Sequence, residues 1–172
     1  MIAIALNTLI FVICCGLGYV KSQEYQCRVA NLQSILEGLK GLEDEIAYRK
    51  TPLPDALEMV SQERAEQAAK HLFAKVAVDL KGAASSLAES WLIHTKELKE
   101  DCAFTSDDIA AIGDLGKALG GTDVYGQTNV LQRAYRQIEG QLEQAQQENQ
   151  TKGKMYKSLG IAIGLTLVII LI

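Results

Sequence analysis

The sequence predicts an all-α fold, an antiparallel bundle of five or six helices whose first and last helices continue into membrane anchors. Three observations carry that reading. All side-chain charge, 17 basic against 21 acidic groups, lies between Lys21 and Lys157, so both ends are uncharged. Apolar residues between those lysines recur at intervals of three and four, the period of a helix. Two prolines and 6% aromatic residues leave little material for a β-rich alternative. The 172 residues make one domain of ordinary size. The predicted division is an N-terminal transmembrane helix over 1–20, a cytoplasmic helical domain over 21–152 and a C-terminal transmembrane helix over 153–172.

The first apolar segment, Met1 to Val20, has Asn7 as its only strongly polar side chain. Twenty helical residues rise about 30 Å, the thickness of a hydrocarbon core. A cleaved signal peptide would place basic residues before the apolar run, but the first lysine follows it. Val12 and Ile13 before Cys14 and Cys15 are too bulky for a lipid-attachment site. The second segment, Ser158 to Ile172, has 15 uncharged residues. Met155 and Tyr156 extend it if Lys157 snorkels to the headgroups. Gly160 and Gly164 form a GxxxG stripe, and Gly16 and Gly18 give the first segment a small patch, so the two anchors are expected to pack on each other. Association with a second copy of the chain is also left open. Lys21 and Arg28 follow the first anchor, and Lys152, Lys154 and Lys157 precede the second. The positive-inside bias therefore puts the middle domain in the cytoplasm and both termini outside.

Within the middle domain, Val29, Leu32, Ile35, Leu36, Leu39, Leu42 and Ile46 predict a first helix, with Arg49 and Lys50 at its negative end. Thr51-Pro52-Leu53-Pro54 breaks it; Thr51 is expected to cap a second helix holding Ala56, Leu57 and Val60. A third helix is expected over roughly Glu63 to Leu80, with Ala65, Ala69, Leu72, Val76 and Leu80 on one face and Lys81-Gly82 as its stop. Ser86 with Glu89 is a capping-box pattern ahead of Trp91, Ile93 and Leu98. Thr105 with Asp108 opens a helix carrying Ile109, Ile112, Leu115 and Leu119, closed by Gly120-Gly121. Thr122 starts a long helix through Val124, Leu131, Ile138, Leu142 and Ala145. Its Gln-rich tail reads as a solvated stalk or a partner-facing helix.

Catalytic and cofactor chemistry finds no foothold. His71 and His94 stand in no ligand spacing, and neither has a carboxylate placed to make a recognisable site. Cys27 and Cys102 are far apart and form no CxxC, so the four cysteines read as small buried hydrophobes in a reducing compartment. There is no GxSxG elbow and no phosphate loop. Glu43, Asp44 and Glu45 read as a solvated helix face, because consecutive residues point in different directions. A net charge of -4 without a basic cluster argues against nucleic acid. No metal or cofactor site is expected, and the chain reads as an interaction protein.

Three segments carry a resemblance: LEDEIAYRKTPLPDAL (Leu42 to Leu57), LGKALG (Leu115 to Gly120) and GKMYKSLGIAIGLTLVIILI (Gly153 to Ile172). They resemble the stage III sporulation protein AB family, as does the order of parts along the chain. The resemblance implies a role in endospore formation, within a secretion-like complex joining mother cell and forespore. It implies a soluble domain similar to the cytoplasmic domain of the type II secretion F platform protein. The implied partners are the other subunits of that complex, including its secretion-type ATPase, and membrane lipid. Glu43, Glu45, Tyr48, Thr51 and Pro52 cluster at the first sharp break. Their ordinary reading is that Thr51 caps, Pro52 sets the turn and the acids are solvated; the second is that the corner also docks the ATPase or a neighbouring subunit. Two other roles stay open: a platform in a type II secretion or pilus-like assembly, and a membrane-bound signalling adaptor.

Overall fold

The structure, a computed structural model, describes residues 2–63, 67–82, 86–119 and 124–171. These residues form helices and short connections, with no strand among them. α1 spans Ile2–Ala47, α2 Leu53–Glu63, α3 Gln67–Lys81, α4 Leu87–Asp101, α5 Ser106–Leu119 and α6 Val124–Glu148. A π-helical turn over Asn149–Gly153 leads into α7, Lys154–Leu171. The all-α fold expected from periodicity is the fold observed. Two helical stretches, Leu6–Ala47 and Gly126–Leu171, are long and apolar enough to cross a membrane. The chain divides into two compact units, one of Met1–Val29 with Gln144–Ile172 and the other of Ala30–Glu143.

The second unit is organised by the apolar stripe of α1. Leu32, Ile35, Leu39, Leu42 and Ile46 are each at most 2% exposed, and their spacing of three and four puts them on one helix face. Each such side chain contributes about 1.5–3 kcal/mol on burial. Gly38 lies in the same stripe and admits the Phe73 ring of α3; a Cβ there would stand 2.6 Å from that ring. α2 packs on α3, α3 on α4 and α4 on α5. Trp91 sits fully buried among them. Its ring lies 5.7 Å from that of Phe73, its indole N–H donates to the Ile112 carbonyl at 2.8 Å, and its Cβ–Cγ edge rests on Gly116.

Both expected caps on the central helices form. Ser86 Oγ accepts from the Glu89 N–H at 3.3 Å. Thr105 and Asp108 make the reciprocal box: Thr105 N–H donates to Asp108 Oδ2 at 2.8 Å and Asp108 N–H to Thr105 Oγ1 at 3.2 Å. α4 ends with Ala103 in the left-handed region at φ 55°, and the buried Asn31 amide donates to the Cys102 carbonyl at 2.9 Å. Gly82 closes α3 as expected, its N–H on the Val78 carbonyl at 3.0 Å.

Several expectations are corrected. Glu63, expected to open α3, belongs to α2, and α3 is described from Gln67. Ile93 is 48% exposed: it lies two residues from Trp91, about 200° around the helix, and so faces away from the core. Cys27 is exposed rather than a buried hydrophobe. The Gln-rich tail is not wholly solvated, since Ala145 is 1% exposed and Gly153 is buried. Ala65, Gly120, Gly121 and Thr122 lie outside the described residues.

His94 is also not isolated. Its Nε2 lies 2.8 Å from Asp79 of α3 and its Nδ1 3.0 Å from Glu97 of its own helix. Ser90 donates to Asp79 at 2.6 Å, and Lys75 pairs with Glu97 at 2.8 Å. The sequence separates Asp79 from His94 by a helix boundary, so only the α3–α4 contact brings them together. The hydrogen bond from Ser90, and then that from His94, holds the Asp79 carboxyl below its ordinary value. Lys75 first, and His94 second, do the same for Glu97.

Gly116→Ala places a methyl 2.3 Å from Trp91 Cγ and is expected to destabilise the full chain by about 1–3 kcal/mol in urea denaturation. Ala103→Gly relieves a left-handed alanine and is expected to stabilise it by roughly 0.5–1 kcal/mol in the same assay; shifts of the same sign would contradict the two environments. Depressed carboxyls contribute stability in full above their unfolded values, lost as pH falls through the folded ones. Thermal midpoints are therefore expected to drop from about pH 5 downward, and Asp79→Asn to flatten that drop. An unchanged pH slope in the variant would remove Asp79 from the account.

Candidate docking corner and paired apolar helices

The corner predicted from sequence is built at the end of α1. The Asp44 carbonyl accepts from Tyr48 N–H at 3.1 Å and from Arg49 N–H at 3.4 Å, widening the last turn. Lys50 takes φ 55°, the left-handed geometry that commonly ends a helix. The Thr51 N–H then turns back to the Glu45 carbonyl at 3.0 Å. The Glu45 side chain holds the same reversal: one carboxylate oxygen accepts from Thr51 Oγ1 at 3.1 Å, and the other pairs with Arg49 at 3.0 Å.

This overturns two of the sequence assignments. Thr51 does not cap α2, because its hydroxyl donates to Glu45. Pro52 takes that place, its carbonyl accepting from Asp55 N–H at 3.0 Å and Ala56 N–H at 2.9 Å. Glu45 is not a solvated acid either; it is 5% exposed. Glu43 and Asp44 are half-buried. Of the five corner residues, Glu45 and Thr51 brace the turn from inside, whereas Tyr48 is 82% exposed and Pro52 is exposed. Glu43 points elsewhere: it accepts from Gln132 of α6 at 3.0 Å. It lines a groove of about 380 Å³ with Lys40, Gln132, Tyr135 and Arg136. Nothing in the linear sequence signals that α6 contribution, 89 residues away.

The four glycines assigned to helix packing divide three to one. A Cβ on Gly18 would lie 2.7 Å from the Tyr156 carbonyl oxygen and 3.0 Å from Gly160 Cα; one on Gly160 would lie 2.9 Å from the Cys14 carbonyl oxygen. A Cβ on Gly164 would lie 2.9 Å from the Phe11 ring and 3.3 Å from Cys14 Cβ. Gly16 has nothing within 4 Å. α1 and α7 thus meet backbone to backbone at Gly18 and Gly160, with Phe11 as a contact the glycine pattern does not show. Just outside the apolar stretch, the 4%-exposed Arg28 pairs with Glu148 at 2.7 Å. Lys152 also binds Glu148, at 2.9 Å. The hydrogen bond from Lys152, with Arg28 adding to it, holds the Glu148 carboxyl below its ordinary value. Among the described residues, no group of three or more His, Cys, Asp or Glu side chains could hold a metal ion.

Comparison with known proteins agrees with this architecture. The stage III sporulation protein AB of Bacillus subtilis (strain 168) is 26% identical over 154 residues, covering 90% of each chain. A solved structure of a stage III sporulation protein AB superposes with a TM-score of 0.64 at 22% identity, over 72% of this chain and 96% of that one; at that identity the likeness is one of fold. The family profile of stage III sporulation protein AB matches residues 3–172, and the chain belongs to that family.

Proposed function

We propose that this protein is a non-catalytic membrane platform of the secretion-like complex that joins mother cell and forespore during endospore formation, and that it docks the complex's cytoplasmic secretion-type ATPase. Membership of a sporulation family supports the setting. Two helices of membrane-crossing length and apolarity support the platform. The lysines and arginine on the inner flanks of both anchors support a cytoplasmic domain over 21–152, with both termini extracytoplasmic.

One observation carries the docking role. Tyr48 is 82% exposed on a turn whose backbone is locked by the buried Glu45 carboxylate. An aromatic side chain on a fixed backbone loses little entropy on binding and brings a large apolar area with a polar tip. Glu43 supplies a charge at the edge of the groove that it lines with Lys40, Gln132, Tyr135 and Arg136. Glu45 and Thr51 act behind this surface as positioning residues.

The test separates surface from brace. Tyr48→Ala combined with Glu43→Gln, which keeps an acceptor for Gln132, is expected to lower co-purification with the ATPase about tenfold or more, with membrane level and thermal midpoint unchanged. Glu45→Lys is expected to lower the midpoint itself, because it replaces a buried, hydrogen-bonded carboxylate with a cation beside Arg49. Undiminished co-purification in the first variant would remove the docking role. In everted vesicles, added protease is expected to cut within 21–152; protection of that stretch would overturn the orientation.

A further inference from the structure

The membrane-proximal unit contains a groove of about 340 Å³ between α1 and α7. Leu17, Leu159 and Ile163 form its walls, and the Gly18–Gly160 contact forms its floor. One end carries the polar groups, Lys21 and Tyr156. There the Tyr156 ring stacks on Tyr25, with centroids 6.0 Å apart and planes 19° from parallel. The hydrogen bond to Glu24 holds Lys21 above its ordinary value and that to Glu148 does the same for Lys152, and both tyrosines add to each effect, so two ammonium groups and two phenols share one small region.

The charges there do not cancel. Lys21 pairs with Glu24 at 2.5 Å. Glu148 is shared between Lys152 and the buried Arg28, leaving one cation in excess. No acidic residue follows Glu148, whereas Lys154 and Lys157 add two more positive groups. The unit as a whole has five basic and two acidic side chains, inside a chain whose net charge is -4. A long apolar slot ending in excess positive charge and hydroxyl donors has the chemistry of a lipid with an anionic head.

We propose that this groove binds an anionic phospholipid, with an acyl chain lying along Leu17, Leu159 and Ile163 and the phosphate held by Lys21, Lys152 and the Tyr25 and Tyr156 hydroxyls. The apolar walls select a lipid over a free phosphate. The ammonium groups select an anionic head over a zwitterionic one. The site rests on the reading that α1 and α7 cross the membrane, but it is independent of the ATPase. Loss of ATPase docking therefore leaves it standing, and failure of the chain to insert would be seen first by protease protection.

The test uses the purified full chain in mild detergent, titrated with dioleoyl phosphatidylglycerol or dioleoyl phosphatidylcholine and read by native mass spectrometry. Phosphatidylglycerol is expected to be retained in preference to phosphatidylcholine. Lys21→Gln and Lys152→Gln are each expected to cut that preference by about fivefold. Lys21→Arg is expected to restore it, and Ile163→Trp, which fills the slot, to lower retention of both lipids. Circular dichroism of each variant is expected to match that of the parent. Equal retention of the two lipids, or a preference unmoved by both lysine variants at unchanged helicity, would overturn the proposal. So would displacement of the lipid by inorganic phosphate, which would reduce the site to a phosphate contact.

Discussion

Everything in the membrane-proximal unit depends on one close approach, that of the Gly18 and Gly160 backbones. A side chain on either would collide with main-chain atoms at under 3 Å, and main chain cannot rotate out of the way. The approach fixes an antiparallel register: Phe11 meets Gly164, Ser22 meets Gly153, and Arg28 meets Glu148. Ala145, Gly153, Gly160 and Gly164 must then share one face. The eight residues from Ala145 to Gly153 advance about 800° in an α-helix, roughly 80° beyond two turns. A π turn accommodates one additional residue and takes back about 100°. The π segment at Asn149–Gly153 is thus the correction that brings the polar tail and the apolar helix onto a common seam. It also delivers Lys152 beside Glu148.

The second unit is held by an analogous device. Gly38 admits the Phe73 ring and Gly116 admits Trp91, so two glycines on separate helices let the aromatic pair approach. Gly116 lies within LGKALG, one of the segments that carries the family resemblance. Its reason for being glycine is contact with a tryptophan 25 positions earlier, not a turn. The polar pairs around this core, Asp79 with His94 and Asn31 with the end of α4, tie neighbouring helices together at their margins, where burial alone would leave the angle between helices loosely set.

What could be read in the sequence follows from the range of each signal. The α1 stripe from Leu32 to Ile46, the Ser86 cap and the Thr105–Asp108 box are written in spacings of three and four, and all formed. Contacts made across the fold were invisible. Glu45 is indistinguishable in sequence from the acids beside it, because burial depends on which way the turn folds back. His94 acquires Asp79, its second carboxylate partner beside the local Glu97, only when α3 and α4 pack. Ile93 was misplaced because apolar identity outweighed its phase relative to Trp91. The π turn has no compositional marker in a tract rich in Gln and Lys.

The buried Glu45 changes what the corner can be asked to reveal. Were the acids at 43 and 45 both solvated, reversing both charges would probe a surface and nothing else. Because Glu45 accepts from Thr51 and pairs with Arg49, a lysine there would put a buried cation beside Arg49 and strand the threonine hydroxyl. The turn that presents Tyr48 would then be lost along with any binding. Brace and surface are adjacent in sequence yet opposite in exposure, 5% at Glu45 and 82% at Tyr48. A docking role can therefore be assigned only to the side chains whose removal leaves the Glu45 hydrogen bonds in place. By that criterion Tyr48, which the brace holds out into solvent without depending on it for burial, is the residue on which recognition at this corner turns.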